Sequence, residues 1–210
     1  MPAPEVLLAF AAVCFAAAIA PGPDILLISS RAVARGPLGG ALAAFGVVTG
    51  LSVHILLAAT GLTALFASSM AAFEVIRWAG VGYLLYLAWG LLRDSGDGPA
   101  SDQPSAMRQY SSLFVQGLLT NLLNPKAVLF FLALLPQFVD PARGLVPIQI
   151  AILGLELMVI ALAVFLSVAY LVGILGRGLA RSPWLMRLQN RVFGGALAGT
   201  AIWLALAERR

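Results

Sequence analysis

Cysteine and histidine each occur once in the 210 residues, as Cys14 and His54. A single thiol excludes an internal disulfide, a CxxC redox pair and a multi-thiolate metal cluster, and a single imidazole argues against a transition-metal site. Charge is the second scarcity: Asp, Glu, Lys and Arg make up 10% of the chain, against about 25% in soluble domains. The net charge of +4 and pI near 9.8 do not point to nucleic acid, because the basic residues are scattered at the ends of apolar runs and do not interleave with aromatics. No Ser/His/Asp set, His-rich cluster or paired-carboxylate arrangement stands out, so neither an enzyme nor a cofactor is expected.

What remains is apolar: 61% of the residues are hydrophobic and the mean hydropathy is +0.97, the composition of an integral membrane protein. Six spans of about 20 to 28 residues with their loops use up the chain, which leaves one transmembrane domain, residues 1–210, and no soluble module. Val6 to Ala20 resembles the apolar core of a signal peptide, but Glu5 precedes it and no Lys or Arg occurs before Arg31. It therefore reads as a retained first span.

Two of the spans carry interruptions. Pro21-Gly22-Pro23-Asp24 falls inside the apolar run Val6 to Ser30, and Asn124-Pro125-Lys126 falls inside Leu113 to Val139. A helix cannot pass either unbroken, because proline removes a backbone donor and clashes with the preceding turn. Each break is followed at once by a formal charge. Asp24 to Arg35 would form a helix of about 18 Å, half a bilayer or slightly more, with its N-terminus near the midplane.

In order, the spans are expected at about 4–31, 37–66, 70–92, 111–139, 145–176 and 185–207, with residues 95–110 as the one real loop. Glu74 and Arg77 lie three apart on one face of the third span and read as a self-neutralising pair. Gly46 and Gly50, like Gly195 and Gly199, offer small-residue faces for close helix contact, and a homodimer is one use of them. Arginine lies eight to four on alternate sides: Arg31, Arg35, Arg93, Arg108, Arg177, Arg181, Arg187 and Arg191 against Arg77, Arg143, Arg209 and Arg210. The larger set belongs in the cytoplasm, so both termini are expected on the opposite, periplasmic side.

Three spans per half is an odd number, so the second half must enter the membrane in the opposite sense. The expected fold is therefore all-α, six transmembrane helices as two inverted-topology three-helix repeats, about 4–94 and 111–207, with the first helix of each broken at proline. Aligning Pro23 with Pro125 also pairs Asp24 with Lys126 and His54 with Glu156. A charge near the bilayer centre costs about 2.5 to 3.5 kcal/mol and calls for partners or water.

Asn124 is suited to cap the new helix and Pro125 to open it. Lys126 adds positive charge to that positive end, an arrangement relieved by an anion: a substrate carboxylate, Glu156 or Asp24. Lys126 could instead snorkel, and Asp24 could merely cap its own helix. In the functional reading Asp24 takes the ammonium group of a zwitterion while Lys126, with Gly22, Pro23, Asn124 and Pro125 around it, holds the carboxylate. His54 is either a packed histidine or a proton carrier, and Glu156 could load and release a proton as its surroundings alternate between wet and dry.

Pro21-Gly22-Pro23-Asp24, then Arg35-Gly36, Gly39, Gly46, Gly50, His54 and Gly61, resembles the first signature of the lysine-exporter and homoserine/threonine-exporter (LysE/RhtB) family. Gly80 with Tyr83 to Leu87, and Asn124-Pro125-Lys126-Ala127 through Phe130-Phe131 to Pro136-Gln137-Phe138-Val139, resemble its third- and fourth-span patterns. Ala88-Trp89-Gly90 departs from members that have Gly after the third-span Leu. The resemblance implies export of amino acids or close derivatives across the bacterial inner membrane, with proton antiport, and directs attention to Pro21 through Asp24 and Asn124 through Lys126. Two rivals remain open: an exporter of another small solute, a cation or a sugar, and a lipid-handling or assembly protein without transport activity.

Overall fold

The computed structural model describes residues 2–61, 70–93, 106–176 and 183–206; within its helices a few side chains, those of Arg77 and Pro125 among them, lie outside the description. Every regular element in these residues is helical. Two helices are long and apolar enough to cross a membrane, Pro23–Ala59 and Val146–Leu175, and the bent pair Tyr110–Leu122 and Lys126–Phe138 makes a third if it is one span.

Helix α1, Pro4–Ile19, opens on proline, whose missing N–H is no loss in a first turn. Its buried stripe, Phe10, Cys14 and Ala18, recurs every four residues, while Leu8 and Phe15 face outward. It stops at Ala20, which adopts φ −58°, ψ 129° because the following Pro21 disfavours the helical region. Gly22 is extended for the same reason, and Pro23 starts α2, Pro23–Ala59.

α2 is continuous only nominally. Gly36 sits at φ 72°, ψ −175°, a conformation that favours glycine, and Pro37 follows. Past that point the chain folds back: a Cβ added at Gly40 would lie 2.8 Å from the Ala32 side chain, eight residues upstream, and 2.8 Å from Ala169. The expected half-helix from Asp24 to Arg35 and the separate span after it are both present as these two limbs.

Helix α3 is Met70–Arg93, and α4 is Ala106–Leu122. α4 thus begins inside the segment expected to be loop, while residues 94–105 lie outside the described residues. The second limb of α2 runs parallel to α4 in near backbone contact, Gly46 facing Phe114 and Gly117 facing Ala43. Leu123 and Asn124 interrupt the chain, and α5, Pro125–Leu129, resumes it. The expected α-helix does not continue beyond: Phe130–Leu134 is a π turn and Leu135–Phe138 a 3-10 turn. The wider π turn buries both Phe130 and Phe131, successive residues that an α-helix would splay.

Helix α6, Val146–Leu175, and α7, Pro183–Leu206, complete the fold. The loop before α6 is closed by Gln149, whose amide donates to the carbonyls of Asp140 and Gly144. α2 packs most extensively, against α4 and α6, and with α1 and α5 these form the centre; α3 and α7 pair beside it. Of the expected Glu74–Arg77 pair, the Arg77 side chain lies outside the described residues, and Glu74 accepts a hydrogen bond from Trp78 Nε1 at 3.1 Å.

Gly46→Leu should force α2 and α4 apart and destabilise the fold by about 1–3 kcal/mol, the usual range for overpacking. Gly199→Leu, at a position open to space, should be neutral. Thermal unfolding of the detergent-solubilised variants measures both.

Candidate substrate-binding site

The two breaks meet. Asp24, in the first turn of α2, makes no cap for its own helix; its Oδ2 accepts one hydrogen bond from Asn121 Nδ2 at 3.0 Å and another from Asn124 Nδ2 at 2.9 Å. Asn124 Oδ1 in turn accepts from the backbone N–H of Lys126 at 3.0 Å, the N-cap its sequence position predicts. Carboxylate oxygens only accept, so both amides must turn their NH2 groups to Asp24, and their orientations are set.

The reverse link comes from Lys126, the only lysine in the chain. Its ammonium reaches back across the breaks and donates to the carbonyl of Ala20 at 2.8 Å. That carbonyl ends α1, where the helix leaves acceptors without partners. Lys126 therefore turns to backbone rather than to Glu156 or Asp24. Gly22 lies against it: a Cβ there would sit 3.5 Å from Lys126 Cδ and 3.7 Å from Nζ.

A narrow cavity of about 50 Å³ opens among these groups, and Phe131, Leu157, Ala161 and Phe165 also line it. The second carboxylate oxygen of Asp24 and the one side-chain oxygen of Asn121, Oδ1 in both, are buried and have no hydrogen-bond partner. Unpaired buried acceptors carry a desolvation cost, which a ligand N–H would relieve. One of the ammonium protons of Lys126 is engaged by Ala20, so the group can donate to an anion as well.

Of the residues expected at the site, Gly22, Asp24, Asn124 and Lys126 line this cavity. Pro21 and Pro23 line an adjoining cavity of about 600 Å³ that also reaches Thr200. The backbone of Pro125 starts α5 beside them. His54 is one layer behind, with Nε2 3.3 Å from the Asn121 carbonyl oxygen and its ring stacked on Phe131 at 5.4 Å. Glu156 is not on the cavity wall, and its Oε2 is buried and unpaired.

Asn121 is the site residue that sequence reasoning passed over. It reads as one more polar residue in a helix that also carries Ser111, Ser112, Gln116 and Thr120, and the signal available was its spacing of three from Asn124. Gly50 holds it in place, since a Cβ there would lie 2.7 Å from Asn121 Oδ1.

A charged, amide-lined cavity at two helix interruptions in an apolar bundle is the arrangement of a membrane transport protein. The family model of the LysE type translocator matches residues 15–208, and the chain belongs to that family. It is therefore a membrane translocator and not an enzyme. It is 34% identical over 204 residues to a protein named "Uncharacterized membrane protein" from Vibrio cholerae, covering 97% of this chain and 98% of that one. It is 32% identical over 192 residues to the "Homoserine/homoserine lactone efflux protein" of Salmonella typhi, covering 90% of this chain and 91% of that one. Similarity to "Uncharacterized membrane protein YrhP" of Bacillus subtilis is 30% over 209 residues, 96% of this chain and 99% of that protein. No solved structure matches the chain.

Asn121→Ala should remove one of the two donors to Asp24 Oδ2 and cost about 1.5–3 kcal/mol, the range for a hydrogen bond to a charged group. Asn121→Asp should cost more, because it sets two carboxylates against each other. Chemical or thermal unfolding in detergent ranks the two.

Proposed function

We propose that this protein is a secondary transporter that exports amino acids or close derivatives across the bacterial inner membrane. The observation that carries the reading is the pairing of a buried carboxylate oxygen without a partner, Asp24 Oδ1, with the Lys126 ammonium, in two residues that line one cavity between two helix breaks. Asp24 and Asn121 receive the substrate's ammonium group. Lys126, leaving or sharing the Ala20 carbonyl, receives its carboxylate. The family match and the efflux protein among the relatives support export as the direction.

Movement is by alternating access. A third cavity, of about 260 Å³, lies among Ala58, Gly61, Pro141 and Val146, and Phe131 lines both it and the site. Phe131, held by its stack on His54, is the partition between them. Inverted repeats would supply the symmetric counterpart of this partition. Their support is that α1 and α4, Pro4–Ile19 and Ala106–Leu122, each end at a break followed by proline. The surplus of arginine at the turns after α2's first limb, after α3 and after α6 supports periplasmic termini.

Proton antiport is assigned to Glu156 and His54. Glu156 carries a buried carboxylate oxygen without a partner, and His54 touches both the partition and the backbone of Asn121. Protonation of either can then respond to which side of the membrane the bundle opens toward.

Asp24→Ala and Lys126→Ala should each reduce amino-acid efflux from expressing cells by about a hundredfold, the consequence of leaving one substrate charge unpaired in the membrane. Undiminished efflux by both variants, at equal membrane abundance, removes the site. Glu156→Gln should abolish substrate-driven proton movement in proteoliposomes while substrate–substrate exchange continues. Proton movement equal to the parent protein's would clear Glu156 of that role.

A further inference from the structure

A polar row runs down α4. Ser112, Gln116 and Thr120 stand four residues apart, neighbours along the helix surface, and one more step of four reaches Asn124 at the break. The row starts at an exposed serine and ends, about 18 Å further on at 1.5 Å per residue, on the amide that donates to Asp24. Val115 and Leu119 lie beside it and face outward, 45% and 36% exposed. Gly117 meets Ala43 and Asn121 meets Gly50, so the row leads from the breaks toward the end of the bundle where α2 turns at Gly36.

Thr120 departs from the habit of other helix hydroxyls in the bundle. Thr49, Thr60, Ser167 and Thr200 each donate to the carbonyl four residues back. Thr120 is 1% exposed, and its Oγ1, beside the Tyr83 hydroxyl, makes no hydrogen bond of good geometry. The carbonyl it would use belongs to Gln116, and Tyr83 of α3 occupies it, its hydroxyl donating at 3.2 Å. Gln116 Oε1 is likewise buried without a partner. Both oxygens carry a desolvation cost that water or a substrate N–H would relieve. α3 packs chiefly against α7 and touches α4 little, and the cavity of about 600 Å³ lies between Thr200 of α7 and the breaks. The α3 and α7 pair is thus seated more loosely than the centre.

We propose that the row Gln116, Thr120 and Asn124 is the route by which substrate reaches the breaks from the Gly36 end of the bundle, with Gln116 Oε1 and Thr120 Oγ1 as a staging site for its ammonium group and Tyr83 as the latch. This rests on the amino-acid export reading and adds to it a second binding station and a counterpart to the Phe131 partition. Two arrangements share the Gln116 carbonyl. In the closed one Tyr83 holds it and the row is covered. When α3 swings out with α7, the Thr120 hydroxyl takes that carbonyl instead, and its oxygen still accepts from an ammonium group. One hydrogen bond replaces another, so the latch opens at little net cost.

The test is thiol labelling in membranes that hold the full chain with Cys14→Ala, so that each introduced cysteine is the only one. Gln116→Cys and Thr120→Cys are compared with the outward-facing pair Val115→Cys and Leu119→Cys, using the impermeant cation methanethiosulfonate ethyltrimethylammonium on vesicles of either orientation. A wetted thiol ionises and one in lipid does not, so the row should react at least about tenfold faster than the pair, the factor that one unit of thiol pKa makes. It should do so from one face of the membrane only. Gln116→Cys carries the comparison alone if Thr120→Cys does not reach the membrane. Adding Tyr83→Phe should quicken labelling of the row by about two- to tenfold, the worth of one net hydrogen bond. Equal rates on the row and the pair overturn the route, and rates unmoved by Tyr83→Phe overturn the latch. Both results leave amino-acid export standing, because labelling needs no substrate. Failure of the parent protein to export any amino acid overturns that reading, and the staging site with it.

Discussion

A helix interrupted inside a lipid bilayer strands backbone carbonyls and amides where no bulk water can satisfy them. Here two such interruptions satisfy each other. Lys126, just past the second break, donates to the Ala20 carbonyl at the first; Asp24, just past the first, accepts from Asn121 and Asn124 on either side of the second. Each break thus provides what the other lacks, and the charges that would be expensive alone become the closure of the opposite helix end.

The exchange demands proximity, and the glycines provide it. Gly46 and Gly117 bring α2 and α4 to backbone contact, Gly50 leaves room for Asn121, and Gly22 leaves room for Lys126. Gly36 folds the first limb of α2 back against the second, so that Asp24 can stand near the centre of the bundle. The closure is nonetheless incomplete: Asp24 Oδ1 and Asn121 Oδ1 stay unpaired, and they do so on the wall of a cavity. A site that leaves two buried side-chain acceptors unpaired is poised to gain from a ligand.

Much of this was legible in the chain because proline and mid-span charge are strong local signals. The breaks fall where Pro23 and Pro125 require them, Asn124 caps as its position predicts, and α6 spans Val146–Leu175 where 145–176 was expected. What the sequence concealed depends on rotation and on packing between helices. The spacing that sets His54 against Glu156 says nothing of direction: the ring stacks on Phe131, while the carboxylate stands off the cavity wall. The π turn at Phe130–Leu134 has no periodic signature in an apolar run, and without it the aromatic wall of the cavity could not be foreseen. Asn121 was hidden for the converse reason, since its importance comes wholly from Asp24, ninety-seven residues away in sequence.

The most direct test of the central claim is calorimetric binding to the purified protein of three molecules: a transported amino acid, its amine lacking the carboxylate, and its acid lacking the ammonium group. If Asp24 and Lys126 read the two ends, each half-molecule should bind about a hundredfold more weakly than the whole, the penalty for one unpaired charge in a membrane site. In Asp24→Ala the loss of the ammonium group should then make no further difference. Half-molecules that bind the parent protein as tightly as the whole amino acid would contradict the account.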